Sequence, residues 1–108
     1  MRFPGAFFRA AAKSDSARAF RARVERIVKA IPKGQVLSYG RVALLAGKPG
    51  GARAVVRALH GMSGAPWWWV IRSDGTVARE MAIRQVPKLR ADGVQIRGRR
   101  VSVRRRRR

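Results

Sequence analysis

Positive charge is the feature that most limits how this sequence can fold and what it can bind. Lysine and arginine contribute 26 residues and aspartate and glutamate only 5, which leaves a formal net charge of +21 on a chain of 108 residues. Charge of one sign at this density opposes a compact state through self-repulsion, and a polyanionic partner relieves that repulsion. The alternative is that arginine, which far outnumbers lysine, reflects genome composition.

The length and the apolar content predict one folded domain. Apolar residues make up 46% of the chain, which is enough for a single core at this length. No apolar run approaches the roughly 18 residues that a membrane span needs, so we expect no membrane partner. The arginine-rich and alanine-rich segment 1–24 overlaps in composition with mitochondrial transit peptides, but a basic arm that leads into a helix is the simpler interpretation.

The chain lacks the residues that most catalytic and metal sites use. It contains no cysteine and a single histidine, His60. This excludes disulfides, thiolate metal sites and a cysteine nucleophile, and it leaves no set of histidines for a zinc site or a triad. We therefore expect no metal and no cofactor, and no catalysis by a cysteine nucleophile or a histidine-based triad.

Apolar spacing predicts a first amphipathic helix. Residues 14–16, Ser-Asp-Ser, offer N-cap oxygens. The apolar residues that follow recur with a helical period and form one stripe: Phe20, Val24, Ile27, Val28 and Ile31. Residues 32–34, Pro-Lys-Gly, end the helix.

Two short helices are predicted next. Residues 35–37 form an extended link, and Ser38 is the candidate N-cap of a helix over 39–46, in which Val42 and Leu45 face one side. Gly47 supplies a left-handed stop, and a basic turn leads to a third helix over 52–60.

The third helix has an apolar face and a basic face. Val55 and Leu59 form a buried pair at i, i+4, and Arg53 and Arg57 share another face at the same spacing. Two short helices joined by a glycine-containing turn indicate a helix-turn-helix, whose second helix meets DNA with its N-terminal residues.

The rest of the chain predicts small β elements and one further helix. Residues 72–75 favour a turn, 76–77 a return strand, and 79–91 a helix that Pro87 limits. Residues 94–103 alternate around Gly98 and predict a small hairpin. The five arginines of 104–108 form a tail that is expected to stay disordered until it meets phosphate.

Three consecutive tryptophans, Trp67 to Trp69, follow Pro66. In an extended segment, neighbouring side chains point in opposite directions, so the three rings cannot all enter one core layer. One interpretation buries Trp68 and leaves the other two at the edges of the core. The other lets at least one ring stack on a base that has left the duplex.

Four segments together resemble the O6-alkylguanine-DNA alkyltransferases. Residues 31–40, IPKGQVLSYG, are similar to the family's I-P-x-G-x-V-x-[ST]-Y-G, and residues 52–55, ARAV, to the start of its recognition helix. Residues 66–71, PWWWVI, fall where active members carry P-C-H-R-V-[IV], and 72–75 match the turn after it. The order and spacing of the four segments agree over roughly residues 20–94.

The resemblance implies a fold and a set of domain boundaries. The fold is a mainly α single domain with a small β element and a helix-turn-helix, similar to the C-terminal domain of those enzymes. It implies a basic arm over 1–15, an alkyltransferase-like DNA-binding domain over 16–98 and a basic tail over 99–108.

The resemblance also implies that the chain is not an enzyme. Trp67 stands at the position of the reactive cysteine, and this replacement marks the alkyltransferase-like branch of the family. Such a protein binds double-stranded DNA containing O6-alkylguanine, flips the lesion into the former active-site pocket and flags it for nucleotide excision repair without alkyl transfer. The implied partners are alkylated DNA and excision-repair proteins. We expect a monomer, located in the cytoplasm with the nucleoid in a bacterium or in the nucleus in a eukaryote.

The family's residue roles carry over by position. Arg53 matches the arginine finger that fills the gap left by the flipped base, with a plain phosphate contact as the alternative. Tyr39 matches the residue that rotates the target nucleotide, with packing between helices as the alternative. Lys48 and Arg57 are expected at phosphates. The implied lesion pocket comprises Pro66, Trp67, Trp69, Val70 and Arg79.

The sequence departs from the family in several places. Trp68 and Trp69 replace the usual histidine and arginine, and Arg79 and Glu80 both lie near the position of an arginine that contacts the alkylated base. Pro87 falls where relatives have a helix.

Two other functions remain open at this stage. A helix-turn-helix protein that binds undamaged DNA as an architectural or regulatory factor would explain the charge but not the tryptophans. A glycosylase would need a positioned carboxylate or lysine, for which Asp74 and Asp92 are the candidate aspartates.

Overall fold

The first helix, α1, begins earlier than the sequence predicts. The computed structural model describes the backbone of residues 5–102 and the side chains of residues 16–102. In it α1 spans Gly5–Lys29 as one helix, so the predicted cap residues 14–16 lie in its interior and much of the expected arm is helical. Three consecutive alanines, and the absence of proline or glycine between Gly5 and Pro32, favour helix over the local capping tendency of three polar residues.

The apolar stripe predicted on α1 is confirmed. Four of its members are buried and Ile27 is partly buried against them: Phe20, Val24, Val28 and Ile31. Basic residues occupy the last turn of α1, where they interact favourably with the helix dipole. The stripe anchors α1 against the two short helices that follow it.

These two helices, α2 over Tyr39–Leu45 and α3 over Ala52–Leu59, pack against each other. Ser38 caps α2 as predicted, because its Oγ accepts a hydrogen bond of 3.0 Å from the backbone N–H of Arg41. Gly47 adopts a φ of +86°, a conformation that favours glycine and stops the helix. The helix pair predicted from the sequence is therefore present in the expected order.

The buried face of α2 differs from the predicted one. Val42 is buried as expected, but Leu45 is 53% exposed. Ala43 and Ala46 fill the inner positions instead. A seven-residue helix makes two turns, and its rotation here is set by close packing of small residues against α1 and α3. On α3, Val55 and Leu59 are buried as predicted.

The β structure consists of two pairs of very short strands. Strand β1, Leu37–Ser38, pairs in parallel with β2, Val70–Ile71, and the crossover between them contains α2 and α3. Strands β3, Ile96–Arg97, and β4, Arg100–Val101, form the predicted hairpin around Gly98. The prediction of a mainly α single domain with a small β element is confirmed.

The predicted return strand over 76–77 pairs with the hairpin of β3 and β4. Its backbone bonds to the hairpin: the N–H of Val77 donates to the Arg99 carbonyl at 2.7 Å, and the N–H of Val101 donates to the Gly75 carbonyl at 2.9 Å. Val101 is buried. Residues 99–102, which the sequence assigned to the basic tail, thus belong to the packed domain.

Helix α4 spans Ala82–Ala91 and follows a 3₁₀ turn at Arg79–Met81. Pro87 lies inside α4 and does not end it, contrary to the sequence prediction. Proline removes the donor to the carbonyl four residues earlier, on Ile83, whose side chain is 88% exposed, so water can reach this turn. Burial of Gln85, Val86 and Leu89 holds the opposite face of the helix.

Two apolar clusters make up the core. The first lies among α1, α2, α3 and Val70. The second lies between α4, the hairpin and the turn after β2, and its buried members are Ile71, Val77, Leu89, Val94 and Val101. Trp69 is packed against both clusters, which places the tryptophan segment at their junction.

Candidate nucleic-acid interface

The exposed side of α3 carries the basic residues that were predicted to meet DNA. Arg53 occupies the first turn of α3 and Arg57 follows one turn later, and both are exposed. No acidic residue stands in the first turn, and Gly51 caps the helix without a side-chain hydrogen bond. The first turn therefore offers backbone N–H groups and a guanidinium to an anion.

Tyr39 begins α2 in a partly buried position against the first core cluster. Burial raises the pKa of its phenol above the ordinary value, although the nearby charge of Arg72 acts to lower it. The hydroxyl is therefore protonated at neutral pH and can donate a hydrogen bond to a phosphate oxygen. The ring packs between the helices, as one interpretation expected, and the contact of its hydroxyl with a phosphate stays a prediction.

Lys48 is exposed in the turn before α3, as expected of a phosphate-binding residue. Its ammonium also lies 5.3 Å from the centre of the Phe20 ring, on α1. This cation–π contact restrains the lysine, whose ammonium forms no ion pair with a carboxylate in residues 16–102.

The tryptophan segment is not extended as predicted. Trp67–Trp69 form a 3₁₀ turn, closed by a hydrogen bond of 3.0 Å from the N–H of Trp69 to the Pro66 carbonyl. Successive side chains of a 3₁₀ turn project about 120° apart, since the turn has three residues. The rings consequently splay and pack edge to face, with centroids 5.8 Å apart for Trp67 and Trp68 and 6.3 Å apart for Trp68 and Trp69.

A single carboxylate oxygen holds two of the three indoles. The Nε1 atoms of Trp68 and Trp69 donate to the same Oδ2 of Asp92, at 2.8 and 2.7 Å. These hydrogen bonds, that of Trp68 first, hold the pKa of Asp92 below its usual value, and the charges of Lys33 and Lys88 act in the same direction. The carboxylate is ionised at neutral pH, so both hydrogen bonds are charge-assisted.

Two further residues of α4 support the turn. Gln85, 1% exposed, donates from Nε2 to the carbonyls of Trp68 and Val70, at 3.0 Å each. The Lys88 ammonium lies 4.8 Å from the centre of the Trp68 ring. The sequence prediction missed these roles of Gln85, Lys88 and Asp92, although their spacing of three and four residues places them on one face of a helix.

The remaining residues of the predicted lesion pocket differ in how far they are exposed to solvent. Trp67 and Pro66 are partly buried, and the indole N–H of Trp67 makes no hydrogen bond to any residue in 16–102. Arg79 is exposed at the start of its 3₁₀ turn. Val70 is fully buried in the first core cluster and pairs with Leu37 in the small sheet.

Both candidate carboxylates for a glycosylase are engaged in structural hydrogen bonds. Asp92 accepts from the two indoles. Asp74 closes its turn by accepting from the N–H and the hydroxyl of Thr76. In each aspartate one carboxylate oxygen is thus committed to holding a turn.

Two clefts stand out on the part of the chain with described side chains. The larger lies between α1 and α3, and the smaller between α1 and the loop that contains Met62 and Ser63. Neither cleft includes a residue of the predicted lesion pocket. Residues 16–102 show no group of three or more metal-binding side chains, and no described helix is long and apolar enough to cross a membrane.

Comparison with known proteins points to one family. A family model described as the DNA-binding domain of 6-O-methylguanine DNA methyltransferase matches residues 19–94. The chain is 39% identical over 83 residues to a DNA base-flipping protein of Vibrio parahaemolyticus, an alignment that covers 71% of this chain and 82% of the relative. It is 38% identical over 84 residues to alkyltransferase-like protein 1 of Schizosaccharomyces pombe, which covers 71% and 78% of the two chains.

A solved structure gives the same result at the level of the fold. The chain is similar to S. pombe Atl1 in complex with damaged DNA containing O6-carboxymethylguanine, with a TM-score of 0.68 and 34% sequence identity. The superposition covers 72% of this chain and 79% of the other. These comparisons confirm the resemblance inferred from the four sequence segments.

Proposed function

The chain belongs to the family of the 6-O-methylguanine DNA methyltransferase DNA-binding domain, as an alkyltransferase-like member, and we propose that it binds DNA containing O6-alkylguanine and flips the lesion out of the duplex. The alkyl group stays on the guanine. The proposed product of binding is a stable, bent complex that nucleotide excision repair proteins recognise.

The observation that carries the proposal is an aromatic turn where the family's alkyl acceptor stands. Alkyl transfer to the protein needs a nucleophile such as a thiolate, and the chain contains no cysteine. The resemblance of residues 66–71 to the family's acceptor motif supports Trp67 as the residue at that position. Its ring is partly buried and its indole N–H makes no hydrogen bond to residues 16–102, so the ring can stack against a flipped base and the N–H can donate a hydrogen bond to it.

The exposed face of α3 supports the flipping step. Extruding a nucleotide costs a few kcal/mol of lost stacking and pairing, which the protein must offset. In the proposal Arg53 enters the space that the flipped base leaves in the duplex and hydrogen-bonds the base that has lost its partner. The Tyr39 hydroxyl contacts the phosphate of the rotating nucleotide. Tyr39 begins α2 and Arg53 lies in the first turn of α3, and these two helices pack against each other.

Paired duplexes test the proposal. Dissociation constants are measured at the same salt for two oligonucleotide duplexes that differ only in one O6-methyl group, with methyl-labelled DNA used in parallel. We expect tighter binding to the methylated duplex, with the label retained on the DNA. Equal affinities would instead support a helix-turn-helix factor for undamaged DNA, and label on the protein would contradict the absence of transfer.

A further inference from the structure

The larger cleft, between α1 and α3, is not used by the proposed lesion site. We propose that it binds the sugar–phosphate backbone of the DNA that flanks the lesion, a role that rests on the proposed function because it requires the same duplex. The cleft has a volume of about 540 Å³. It is lined by small, apolar and basic residues: Ser16, Ala17, Phe20, Arg21, Arg23, Gly47, Lys48, Ala54, Arg57 and Ala58.

Four cations converge on this cleft. They come from α1, from the turn before α3 and from α3, and no acidic residue is among the lining residues whose side chains are described, which begin at Ser16. Within residues 16–102 the ion pair is that of Lys29 with Glu25, at 3.0 Å, outside the cleft. Like charges held together in this way repel one another unless an anion lies between them.

Local contacts position two of these cations without neutralising them. The Nε of Arg23 donates to the Ala46 carbonyl at 2.8 Å, which leaves the terminal nitrogens of the guanidinium available. Lys48 lies over the ring of Phe20 in the cleft. Arg21 and Arg57 make no hydrogen bond to the described residues and are exposed. The cleft therefore holds two cations that are positioned by local contacts, and two with no hydrogen bond to residues 16–102.

The cleft continues the DNA-binding face of α3. Arg57 belongs to both surfaces, since it lines the cleft and lies one turn after Arg53 on the exposed side of the helix. Ala54 and Ala58 form the α3 side of the cleft, and their small side chains let a backbone approach closely. A duplex that binds at Arg53 would therefore lie next to the basic cleft.

The chemistry favours phosphate. Guanidinium groups match phosphate oxygens in pairs, and such contacts fix the position of a protein on DNA without reading its sequence. We therefore expect the cleft to strengthen binding to damaged and undamaged DNA alike, whereas the tryptophan turn sets the preference for the lesion.

Salt titrations of two matched variants test the cleft. Arg21→Gln removes a cleft cation that has no described hydrogen bond, and Arg97→Gln removes an exposed cation from the hairpin, outside the cleft. The dissociation constants of the full-length chain for the methylated and unmodified duplexes are measured over a range of salt. We expect Arg21→Gln to lower the slope of log affinity against log salt by about 0.9 on both duplexes, the value of one phosphate contact. The ratio of the two affinities should not change, and Arg97→Gln should keep the wild-type slope.

Three results would overturn the proposal. The first is an unchanged slope in Arg21→Gln, and the second is an equal fall in Arg97→Gln, which would indicate net charge alone. The third is loss of binding to a labelled polyglutamate peptide in Arg21→Gln with an unchanged DNA slope, which would assign the cleft to an acidic protein segment. Equal wild-type affinity for both duplexes would contradict the proposed function separately, because the slopes would still decide the role of the cleft.

Discussion

At the scale of single residues, Asp92 determines how the tryptophan turn is held. Two indole N–H groups converge on one of its oxygens, and Lys88 lies over the ring of Trp68. Trp68 and Trp69 are thereby tied to the C-terminal end of α4, whereas the N–H of Trp67 has no acceptor among residues 16–102. The two tryptophans that depart from the family pattern consequently have a structural explanation.

The lowered pKa of Asp92 makes its contribution depend on pH. A carboxyl with a folded-state pKa below its unfolded value of 3.8 stabilises the fold above that value, and the effect is lost as the pH falls through the folded pKa. We expect Asp92→Asn to lower the urea midpoint of unfolding at pH 7. The difference from wild type should shrink as the pH is lowered below 3.8.

Glu25→Gln is the control for this prediction, because its carboxylate pairs with Lys29 on the surface of α1. A gap between wild type and Asp92→Asn that stays constant down to the lowest pH would show that the indole hydrogen bonds do not depend on the carboxylate charge.

Arg53 is the residue expected to matter most for the lesion. Charged hydrogen bonds contribute about 1.5–3 kcal/mol, so Arg53→Ala should weaken binding to the methylated duplex by about 10-fold to 100-fold. Arg97→Ala, which removes an exposed arginine of the hairpin, should have a much smaller effect. Titration of both variants by anisotropy at one salt concentration makes the comparison. Similar losses in the two variants would mean that charge alone, without an inserted finger, holds the DNA.

At the scale of elements, the cap of α2 fixes the start of the helix that carries Tyr39. The Oγ of Ser38 accepts from the backbone of Arg41, and Ser38 also pairs with Ile71 in the small sheet. Replacing a capping serine with alanine costs about 1 kcal/mol. We expect Ser38→Ala to lower the free energy of unfolding by this amount in urea titrations.

Ser73→Ala provides the matched control, since Ser73 is exposed in a turn and makes no described side-chain hydrogen bond. An equal decrease in the free energy of unfolding in both variants would show that the cap does not stabilise α2.

The sequence predicted those elements whose signals are local. A cap at Ser38, a positive φ at Gly47 and the spacing of Val55 and Leu59 are each decided within a few residues, and each is found. The N-terminal start of α1 was missed because alanine content outweighed a plausible cap. The packing of α4 explains the tolerance of Pro87, which local rules count as a break.

The candidate site was predictable only in part. Motif spacing located the tryptophans and Arg53, but an extended conformation was assumed for the former. The link from Trp68 and Trp69 to Asp92 spans more than 20 residues of sequence and depends on α4 packing beside the turn. Such a contact has no local signature, and Asp92 was considered only as a possible catalytic group.

At the scale of the whole molecule, charge determines stability as well as binding. The chain carries a net charge of +21, and few carboxylates are present to offset it. Raising the salt from about 0.01 M to about 0.15 M shortens the screening length from roughly 30 Å to roughly 8 Å. Since repulsion dominates, we expect the Tm of the free protein to rise over this range, measured by thermal unfolding without DNA. A fall in Tm would show that attractive ion pairs outweigh the repulsion.

In the proposed complex the lesion leaves the stack while Arg53 takes its place. A fluorescent cytosine analogue placed opposite O6-methylguanine reports this exchange, because unstacking changes the emission of the analogue. We predict that saturating wild-type protein raises the emission on the methylated duplex, that plain guanine shows no comparable rise, and that Arg53→Ala reduces the rise. Tight and selective binding to the methylated duplex with no change in emission would contradict base flipping.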